Sequence, residues 1–287
     1  MSMNNPEKAV KYSDRRVEYQ DLITATQLQK LSATLDRDDP IPRDGDPIPP
    51  GWHPLFFPKL PPTRELGRDG MIKEIEDWQG ADPLPIRMFA GSRTRFLMPL
   101  RIGDRARRVS ELISTTPKEG RSGRLLFAIY RHTISTAAGV AIVDEWDMVF
   151  RDELKGPART QPPGEPAPAG GAWEKTVNPT PVMLFRFSAV TFNPHRIHYD
   201  HPYTTGTEGY PSLLVHGPLT SMLLYDLARD NNPGATMTGF DMRAKAPLYA
   251  GQPFRIIGSP REGGKACDLW AVTPQNTVAM EASAMFA

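Results

Sequence analysis

Alternating hydrophobic and polar residues mark two groups of strands along the chain. In the first half, residues 123–134 and 139–150 are rich in β-branched and aromatic side chains that alternate with a period of two. In the second half, residues 254–259, 265–273 and 277–286 repeat this pattern. Such alternation is typical of antiparallel strands with one buried face. The sequence therefore predicts two antiparallel meanders, one in each half.

Helical periodicity is scarcer. Residues 24–35 place Leu28, Leu31 and Leu35 on one face, which predicts a short amphipathic helix. A second helix is predicted to begin after Gly217, with Pro218 in its first turn, where the missing N–H costs nothing. That helix is apolar around most of its girth, as expected of a helix wrapped by a sheet. The first half shows no comparable segment, so we expect it to lack a central helix and a working site.

The two groups of strands follow one plan. Four residues of the first half recur 148 positions later: Arg95, Pro99, Leu100 and Gly103 reappear as Arg243, Pro247, Leu248 and Gly251. Both groups also end on a glutamate five residues before a phenylalanine, at Glu145 and at Glu281. Chance resemblance between two meanders is the alternative, because short patterns match easily. The shared order of features favours duplication, and hence two similar α+β units packed as a pseudo-dimer.

Proline is concentrated in two clusters, at residues 40–62 and 156–181. Because proline fixes φ and has no N–H to donate, such segments stay extended and outside helices and sheets. The second cluster separates the two patterned halves. We therefore predict a linker at 156–181 between an N-terminal domain of residues 1–155 and a C-terminal domain of residues 182–287.

Composition limits the class of protein. The 287 residues carry 34 Lys and Arg against 33 Asp and Glu, so no global field attracts nucleic acid or an anionic membrane. Cys267 is the single cysteine, which excludes an internal disulfide and a cysteine-ligated zinc site and favours a reducing compartment. The longest apolar runs are far shorter than the roughly 20 residues needed to cross a bilayer. We expect a cytoplasmic protein.

Four of the six histidines fall within a short stretch, at His195, His198, His201 and His216. One interpretation is a polar turn whose imidazoles cap backbone groups. A second is a metal site, but histidines spaced by three on a helix splay apart, and no carboxylate cluster supplies further ligands. The third is acid–base catalysis, since histidine titrates near neutral pH. We expect no metal and favour catalysis.

The predicted helix after Gly217 adds a second element of chemistry. A helix N-terminus offers free amides and a positive dipole end, which suit a developing oxyanion. A general base together with an oxyanion site describes addition of water to an activated carbonyl compound, or its hydrolysis. The sequence Gly-x-Gly-x-x-Gly does not occur, and this chemistry needs no metal or redox cofactor.

An Asn-Pro dipeptide at 193–194 followed by His198, and a His-Gly-Pro tripeptide at 216–218, resemble the MaoC-like acyl-CoA hydratases and dehydratases. The resemblance is greatest to the double-hot-dog subgroup that hydrates mesaconyl-C4-CoA (3-methylfumaryl-CoA) or itaconyl-CoA to citramalyl-CoA, and residues 52–58 and 87–93 extend it into the first half. It implies a tandem hot-dog fold, an antiparallel sheet wrapped around a central helix, with the catalytic motif in the second half. It also implies an acyl-CoA substrate and a homo-oligomer.

Carried over by position, the family's active histidine falls on His198 and its aspartate, five residues earlier, on Asn193. An alternative alignment places Thr191 at the aspartate, and in both the aspartate is absent. The resemblance implies His198 as general base or acid and an amide of Gly217 that binds the thioester oxygen, and we expect Asn193 to position the water. Asp200 is either an alternative orienting carboxylate or a helix cap.

Six further residues are expected to contact the substrate: His195, Arg196, Tyr199, Asp200, His216 and Arg243. Arg196 and Arg243 are the candidates to pair with a free substrate carboxylate, and His216 either lines the pocket or pins the turn. Arginines between positions 93 and 108 either bind the phosphates of CoA or form a solvated face. Two other functions stay open: a hot-dog thioesterase, and a non-catalytic acyl-CoA-binding protein.

Overall fold

The computed structural model describes residues 16–72, 84, 86–120, 123–152 and 164–287. Strands and helices alternate along this part of the chain. The strands are β1 (Arg16–Leu22), β2 (Ile86–Phe96), β3 (Arg105–Gly120), β4 (Gly123–Thr136), β5 (Gly139–Arg151), β6 (Trp173–Val177), β7 (Met237–Ala244), β8 (Phe254–Arg261), β9 (Ala266–Val272) and β10 (Val278–Phe286). The helices are α1 (Ala25–Thr34), α2 (Pro181–Thr191), α3 (His201–Gly206) and α4 (Gly217–Asp230).

All ten of these strands form one antiparallel sheet in the order β1-β3-β4-β5-β2-β7-β10-β9-β8-β6. The last five strands of this order repeat the first five in reverse. Each strand of the first half thus corresponds to one of the second: β1 to β6, β2 to β7, β3 to β8, β4 to β9 and β5 to β10. The halves join where β2 pairs with β7. This arrangement is the tandem hot-dog fold, and it confirms the two meanders predicted from the alternating pattern.

The register between β2 and β7 reveals an internal twofold relation. Arg93 pairs with Asp241, its own counterpart 148 positions later, so the axis passes through this pair. On either side, Arg95 pairs with Gly239 and Gly91 pairs with Arg243, as a twofold axis at this point requires. The spacing of 148 read from the sequence is thus built into the sheet.

The repeated glutamates do not follow the same symmetry. Glu145 pairs with Arg93, whereas Glu281 pairs with Arg243, which is the counterpart of Arg95. The two glutamates therefore occupy different levels of their strands. The recurrence of glutamate therefore does not support the duplication, which rests on the register of β2 and β7.

Helix α4 lies at the centre of the second half. It contacts β7, β8, β9 and β10, and almost every residue from Leu219 to Ala228 is buried. In the first half, the described residues between α1 and β2 contain only two single-turn helices, at His53–Leu55 and Thr63–Glu65. Apolar side chains on either side of the single turn at His53–Leu55, including those of Trp52 and Phe56, fill the core of the first half. The expected difference between the halves is therefore present in this part of the chain.

The linker predicted at 156–181 is too long. Residues Trp173–Val177 within it form β6, which pairs with β8 at the edge of the sheet, and Pro181 is the first residue of α2. The predicted linker was too long because the proline cluster is interrupted: no proline lies between 168 and 179, which leaves room for β6. At the other end, Pro181 is compatible with the start of a helix. Residues 153–163 lie outside the described part of the chain.

Two helices predicted from periodicity are confirmed. Helix α1 has Thr24 as its N-cap and buries Leu28 and Leu31, with Leu35 buried just after its end. Helix α4 begins at Gly217 with Pro218 in its first turn. Among the residues that the structure describes, no helix combines the length and apolar character needed to cross a membrane.

Candidate active site

A sharp change of chain direction after α2 brings the histidine cluster together. Phe192 ends α2 in the left-handed conformation at φ 52°, and the N–H of Asn193 donates to the carbonyl of Ser188 over 2.8 Å. A single helical turn at Arg196–His198 follows, and α3 begins at His201. This compact path buries His198, which is 7% exposed.

The orientation of His198 is set by a main-chain group. Its Nδ1 lies 2.8 Å from the carbonyl oxygen of Leu214. Because a carbonyl only accepts, Nδ1 carries the proton and Nε2 keeps its lone pair. Burial, reinforced by the neighbouring His195, lowers the pKa of His198 to about 3. The imidazole is therefore neutral at ordinary pH, with Nε2 as the nitrogen that can accept a proton.

His216 lies directly against this imidazole. The two rings stack with their centroids 3.6 Å apart, and Nε2 of His216 is 2.9 Å from the hydroxyl of Ser188 in α2. His216 is fully buried and is also the N-cap residue of α4. It thus packs beside His198 and links α2 to the turn that leads into α4.

Helix α4 begins at Gly217, where the second half of the chain meets the first half. The first amides of a helix have no intrahelical acceptor, and Pro218 has no N–H, so Gly217 supplies a free donor at the positive end of the helix. A Cβ at Gly217 would lie 3.4 Å from the ring of Phe89 in β2. The site is therefore bounded by the second half on one side and by β2 of the first half on the other.

The residues that could replace the missing aspartate are all engaged locally. The hydroxyl of Thr191 donates to the carbonyl of Phe187, and Oδ1 of Asn193 accepts from the N–H of His195 at 3.0 Å. Asp200 caps α3 by accepting from the N–H of Tyr203. In the described structure, none of these three side chains has a hydrogen bond to His198. The Leu214 carbonyl takes the orienting role instead.

A profile of the family described as "Hydroxyacyl-thioester dehydratase type 2" matches residues 51–250. This chain belongs to that family. It is 40% identical over 269 residues to a mesaconyl-C(4)-CoA hydratase of Chloroflexus aurantiacus, with 94% of both chains covered. It is also 28% identical to a mitochondrial hydroxyacyl-thioester dehydratase type 2 of Schizosaccharomyces pombe, with 84% of this chain and 89% of the relative covered.

Solved structures share the fold of this dehydratase family member. HtdX of Mycobacterium tuberculosis superposes with a TM-score of 0.65 at 16% identity and covers 95% of this chain and all of its own. A MaoC-like dehydratase from Phytophthora capsici gives 0.67 at 15% identity, with 95% of both chains covered. A conserved hypothetical protein of Mycobacterium tuberculosis described as a double hotdog fold gives 0.57 at 14% identity, covering 96% of this chain and 97% of its own.

Two of the expected substrate contacts are engaged elsewhere in this dehydratase-family chain. The guanidinium of Arg196 binds Asp200 at 2.7 Å, donates to the carbonyl of Arg68 and stacks over the ring of Tyr203. Tyr199 is exposed, and its hydroxyl donates to the carbonyl of Pro194. These contacts hold the loop around His198 in place and leave Arg196 badly placed to bind an added carboxylate.

The structure does not bring Arg243 to the other site residues. Its side chain is exposed, whereas the neighbouring Met242 is buried on the face that α4 covers. Because successive side chains of a strand point to opposite faces, Arg243 lies on the outer face of the sheet, away from His198. Several arginines of the first half lie on this face too and form ion pairs: Arg93 with Asp147, and Arg95 with Asp241. Arg108 of the same stretch departs from this pattern, because its guanidinium is buried over the rings of Tyr19 and Phe57.

Sequence reasoning did not assign Arg87 and Phe89. A bulge in β2 between Phe89 and Gly91 shifts the alternation by one, so that Phe89 packs against the core and Arg87, two residues away, takes the same face. Burial, together with the positive charge of Arg87, lowers the pKa of the half-buried His195 to about 4. Arg87 is therefore within electrostatic reach of the site. The similarity at residues 87–93 was the available signal.

Metal binding has no support in the residues that the structure describes. Within them, no group of three or more His, Cys, Asp or Glu side chains is arranged to hold an ion. His195 and His198 instead meet edge to face, with ring centroids 5.4 Å apart. The arrangement combines a neutral imidazole, a helix-terminal amide and an aromatic wall, which suits proton transfer next to an oxyanion.

Proposed function

We propose that this protein is a hydratase that adds water across the C=C bond of a short, branched, dicarboxylic enoyl-CoA thioester such as mesaconyl-C4-CoA, giving citramalyl-CoA. The observation that carries this proposal is the stacking of His198, whose Nε2 is free to accept a proton, on His216, the residue directly before the amide of Gly217 at the start of α4. The 40% identity to a mesaconyl-C(4)-CoA hydratase over nearly the whole chain supports the substrate class.

In the proposed reaction, Nε2 of His198 accepts a proton from water as the water oxygen attacks the β-carbon. The electrons of the C=C bond move toward the thioester, whose oxygen becomes enolate-like and accepts a hydrogen bond from the N–H of Gly217. The α-carbon then takes the proton back from the imidazolium. One C–O and one C–H bond form, one O–H bond of water and the C=C π bond are lost, and the reverse sequence is dehydration.

The absence of the family's aspartate fits a dicarboxylic substrate. Burial strongly disfavours a protonated His198, whose pKa is lowered to about 3, so the imidazolium formed during the reaction needs a nearby negative charge. In mesaconyl-C4-CoA the free carboxylate sits on the carbon that receives the hydroxyl group, next to this base. We propose that this carboxylate stabilises the imidazolium and that Arg87 binds the same carboxylate. Asn193 keeps its proposed role in positioning the water.

The test is a steady-state assay with mesaconyl-C4-CoA, itaconyl-CoA and crotonyl-CoA, in which the hydroxyacyl-CoA product is quantified by liquid chromatography and release of free thiol is followed in parallel. We expect formation of hydroxyacyl-CoA without thiol and faster turnover of the dicarboxylic thioesters. His198→Ala should lower kcat by about 10²- to 10⁴-fold, the range for loss of a general base. His201→Ala is the matched control, because His201 is exposed at the start of α3.

Other outcomes of this assay decide between the remaining functions. Thiol release would identify a thioesterase, and binding without conversion of any thioester would identify a non-catalytic acyl-CoA-binding protein. Near-native turnover in His198→Ala would contradict the proposed role of this residue. The better of mesaconyl-C4-CoA and itaconyl-CoA, compared by kcat/KM, identifies the substrate.

We further propose that the enzyme is cytoplasmic and homo-oligomeric. The single cysteine, Cys267, is buried, and burial raises the pKa of its thiol to about 11, as suits a structural rather than a disulfide-forming residue. Strands β1 and β6 each have one neighbour in the sheet, which leaves edges that a second copy could cover. Light scattering coupled to size exclusion tests the oligomeric state.

A further inference from the structure

A large cavity of about 1060 Å³ lies away from His198, beside α1 and the C-terminal end of α4. Its walls come from α1, residues 39–50, the segment that follows Phe96 in β2, and residues 235–237 at the start of β7. The volume is at the upper end of the range of pockets that bind small molecules. Nothing in the proposed reaction uses this cavity.

The cavity occupies the position related to the active site by the internal twofold axis. At the spacing of 148 fixed by the β2–β7 register, residues 235–237 are the counterparts of 87–89, and residues 96–101 are the counterparts of 244–249. The active site lies between the start of β2 and the end of β7. The cavity lies between the start of β7 and the end of β2.

The loop that enters α4 has a counterpart at the cavity. Leu214 forms a bridge with Tyr249, and the N–H of Val215 donates to Leu248 over 2.8 Å. In the first half the same two contacts recur: Pro47 forms a bridge with Arg101, and the N–H of Ile48 donates to Leu100 over 2.9 Å. Continuing two residues further along both loops, Pro49 stands in the place of His216 and Pro50 in the place of Gly217.

The end of α2 has a counterpart at the end of α1. Asp36 has φ 50° and Phe192 has φ 52°, so that both are left-handed; Asp36 follows the C-cap of α1, and Phe192 is the C-cap of α2. The N–H of Arg37 donates to Ser32 over 3.0 Å, as that of Asn193 donates to Ser188. Arg37 thus replaces Asn193. Counting on by the same spacing, Pro42 falls at the position of His198, and it lines the cavity.

These replacements remove the chemistry and keep the space. Pro42 and Pro49 have no imidazole, and Pro50 has no N–H, so the cavity has neither the base nor the amide donor of the active site. Four of the charged side chains at the rim are paired with each other, because Arg37 binds Asp39 and Asp230, and Arg229 binds Asp230. Two more, Asp46 and Arg101, bind main-chain groups: Asp46 accepts from the N–H of Arg43, and Arg101 donates to the carbonyl of Gly45. The remaining walls are mainly apolar side chains and prolines. A ligand that fits them is uncharged and apolar where it enters the cavity.

We propose that this cavity is a second, non-catalytic acyl site that takes the alkyl chain of a saturated, medium-chain acyl-CoA thioester. The proposal rests on membership of a thioester-binding family and on the twofold relation, and it does not depend on which thioester His198 hydrates. The site retains the architecture of an acyl pocket, and its proline-rich wall replaces polar catalytic groups with apolar surface.

The test counts molecules of decanoyl-CoA bound per chain, by native mass spectrometry and by calorimetric titration. Decanoyl-CoA is saturated, so the catalytic site cannot convert it. Ala33→Trp and Ala235→Trp fill the cavity from opposite walls at exposed positions. Ala138→Trp is the matched control, because Ala138 is exposed in the turn between β4 and β5, outside the cavity.

We expect each cavity-filling variant to bind one molecule of decanoyl-CoA fewer than the wild type and Ala138→Trp. The kcat and KM of the hydration reaction should stay within about twofold. An unchanged number of bound molecules in both Ala33→Trp and Ala235→Trp overturns the proposal. If no thioester is hydrated at all, the binding count still decides the question, so failure of the two proposals can be told apart.

Discussion

At the scale of single residues, the reactivity of His198 follows from one hydrogen bond. The Leu214 carbonyl holds the proton on Nδ1, so the lone pair of Nε2 is the one available for catalysis. A carbonyl fixes the tautomer as well as a carboxylate would, but it brings no full negative charge to stabilise the imidazolium. In the proposed reaction the substrate's carboxylate supplies that charge, which makes the enzyme selective for dicarboxylic thioesters.

Arg87 provides a residue-scale test of this selectivity. Arg87→Ala should raise KM for mesaconyl-C4-CoA by about 10- to 100-fold, since a hydrogen bond between charged groups contributes about 1.5–3 kcal/mol. Turnover of crotonyl-CoA, which has no carboxylate, should change little. Steady-state kinetics with both thioesters measures the difference.

Arg93→Ala is the control for this experiment, because Arg93 is in the same strand but forms an ion pair with Asp147 on the outer face. It should affect neither thioester by more than about twofold. An equal loss on mesaconyl-C4-CoA and crotonyl-CoA in Arg87→Ala would mean that Arg87 supports the fold of the site rather than binding the carboxylate.

At the scale of elements, the site depends on how α4 begins and how β2 bends. The bulge in β2 directs Phe89 toward Gly217, and His216 precedes α4 while stacking on His198. The start of α4 and His198 belong to the second half of the chain, and the aromatic wall formed by Phe89 belongs to the first half. A single substitution, Gly217→Pro, removes the N–H of Gly217 from the start of α4.

Gly217→Pro should abolish hydration while the protein still folds. Proline is favoured at the first position of a helix, and His216 already has the extended conformation that precedes proline, at ψ 132°. Loss of an oxyanion donor lowers kcat by about 10²- to 10³-fold. Steady-state rates and thermal melting of the variant measure both effects.

Gly217→Ala is the matched control, since it keeps the N–H and its Cβ would make only ordinary contact with Phe89. It should retain kcat within a few-fold of the wild type. If Gly217→Pro melts like the wild type and still turns over at a similar rate, the oxyanion is held by another group.

The sequence is informative about elements where side chains carry the pattern. Helices α1 and α4 and strands β4, β5, β8, β9 and β10 follow from periodicity, because burial of one face selects their residues. Helix α2 does not follow, since its apolar residues lie all round it and leave Val182 and Phe185 exposed. The Leu214 carbonyl and the bulge in β2 are backbone features, and a backbone carbonyl is the same in every residue. His198 and Gly217 could be located from motifs, whereas Ser188 and Arg87 required the fold.

At the scale of the whole molecule, buried histidines couple stability to pH. Burial lowers the pKa of His132 and His198 to about 3 and of His195 to about 4, and it lowers that of His216 well below its usual value. In the unfolded chain each titrates near 6.5. Burial raises the pKa of the Asp226 carboxyl to about 6. This group therefore opposes the histidines, because it makes the folded protein bind a proton more readily than the unfolded chain.

Between about pH 6.5 and pH 4 the unfolded chain therefore binds more protons than the folded protein, and the free energy of unfolding must fall as the pH falls. Stability is complete above pH 6.5 and decreases below it, by about 1–2 kcal/mol per histidine at pH 5. Urea denaturation at pH 7.5, 6.5, 5.5 and 5.0 measures this slope. His195→Gln should make it shallower, because it removes one of the imidazoles whose pKa burial lowers. A free energy of unfolding that is constant from pH 7.5 to 5.0 would show that these imidazoles accept protons equally well in the folded and unfolded chain, and the lowered pKa of His198 would have to be abandoned.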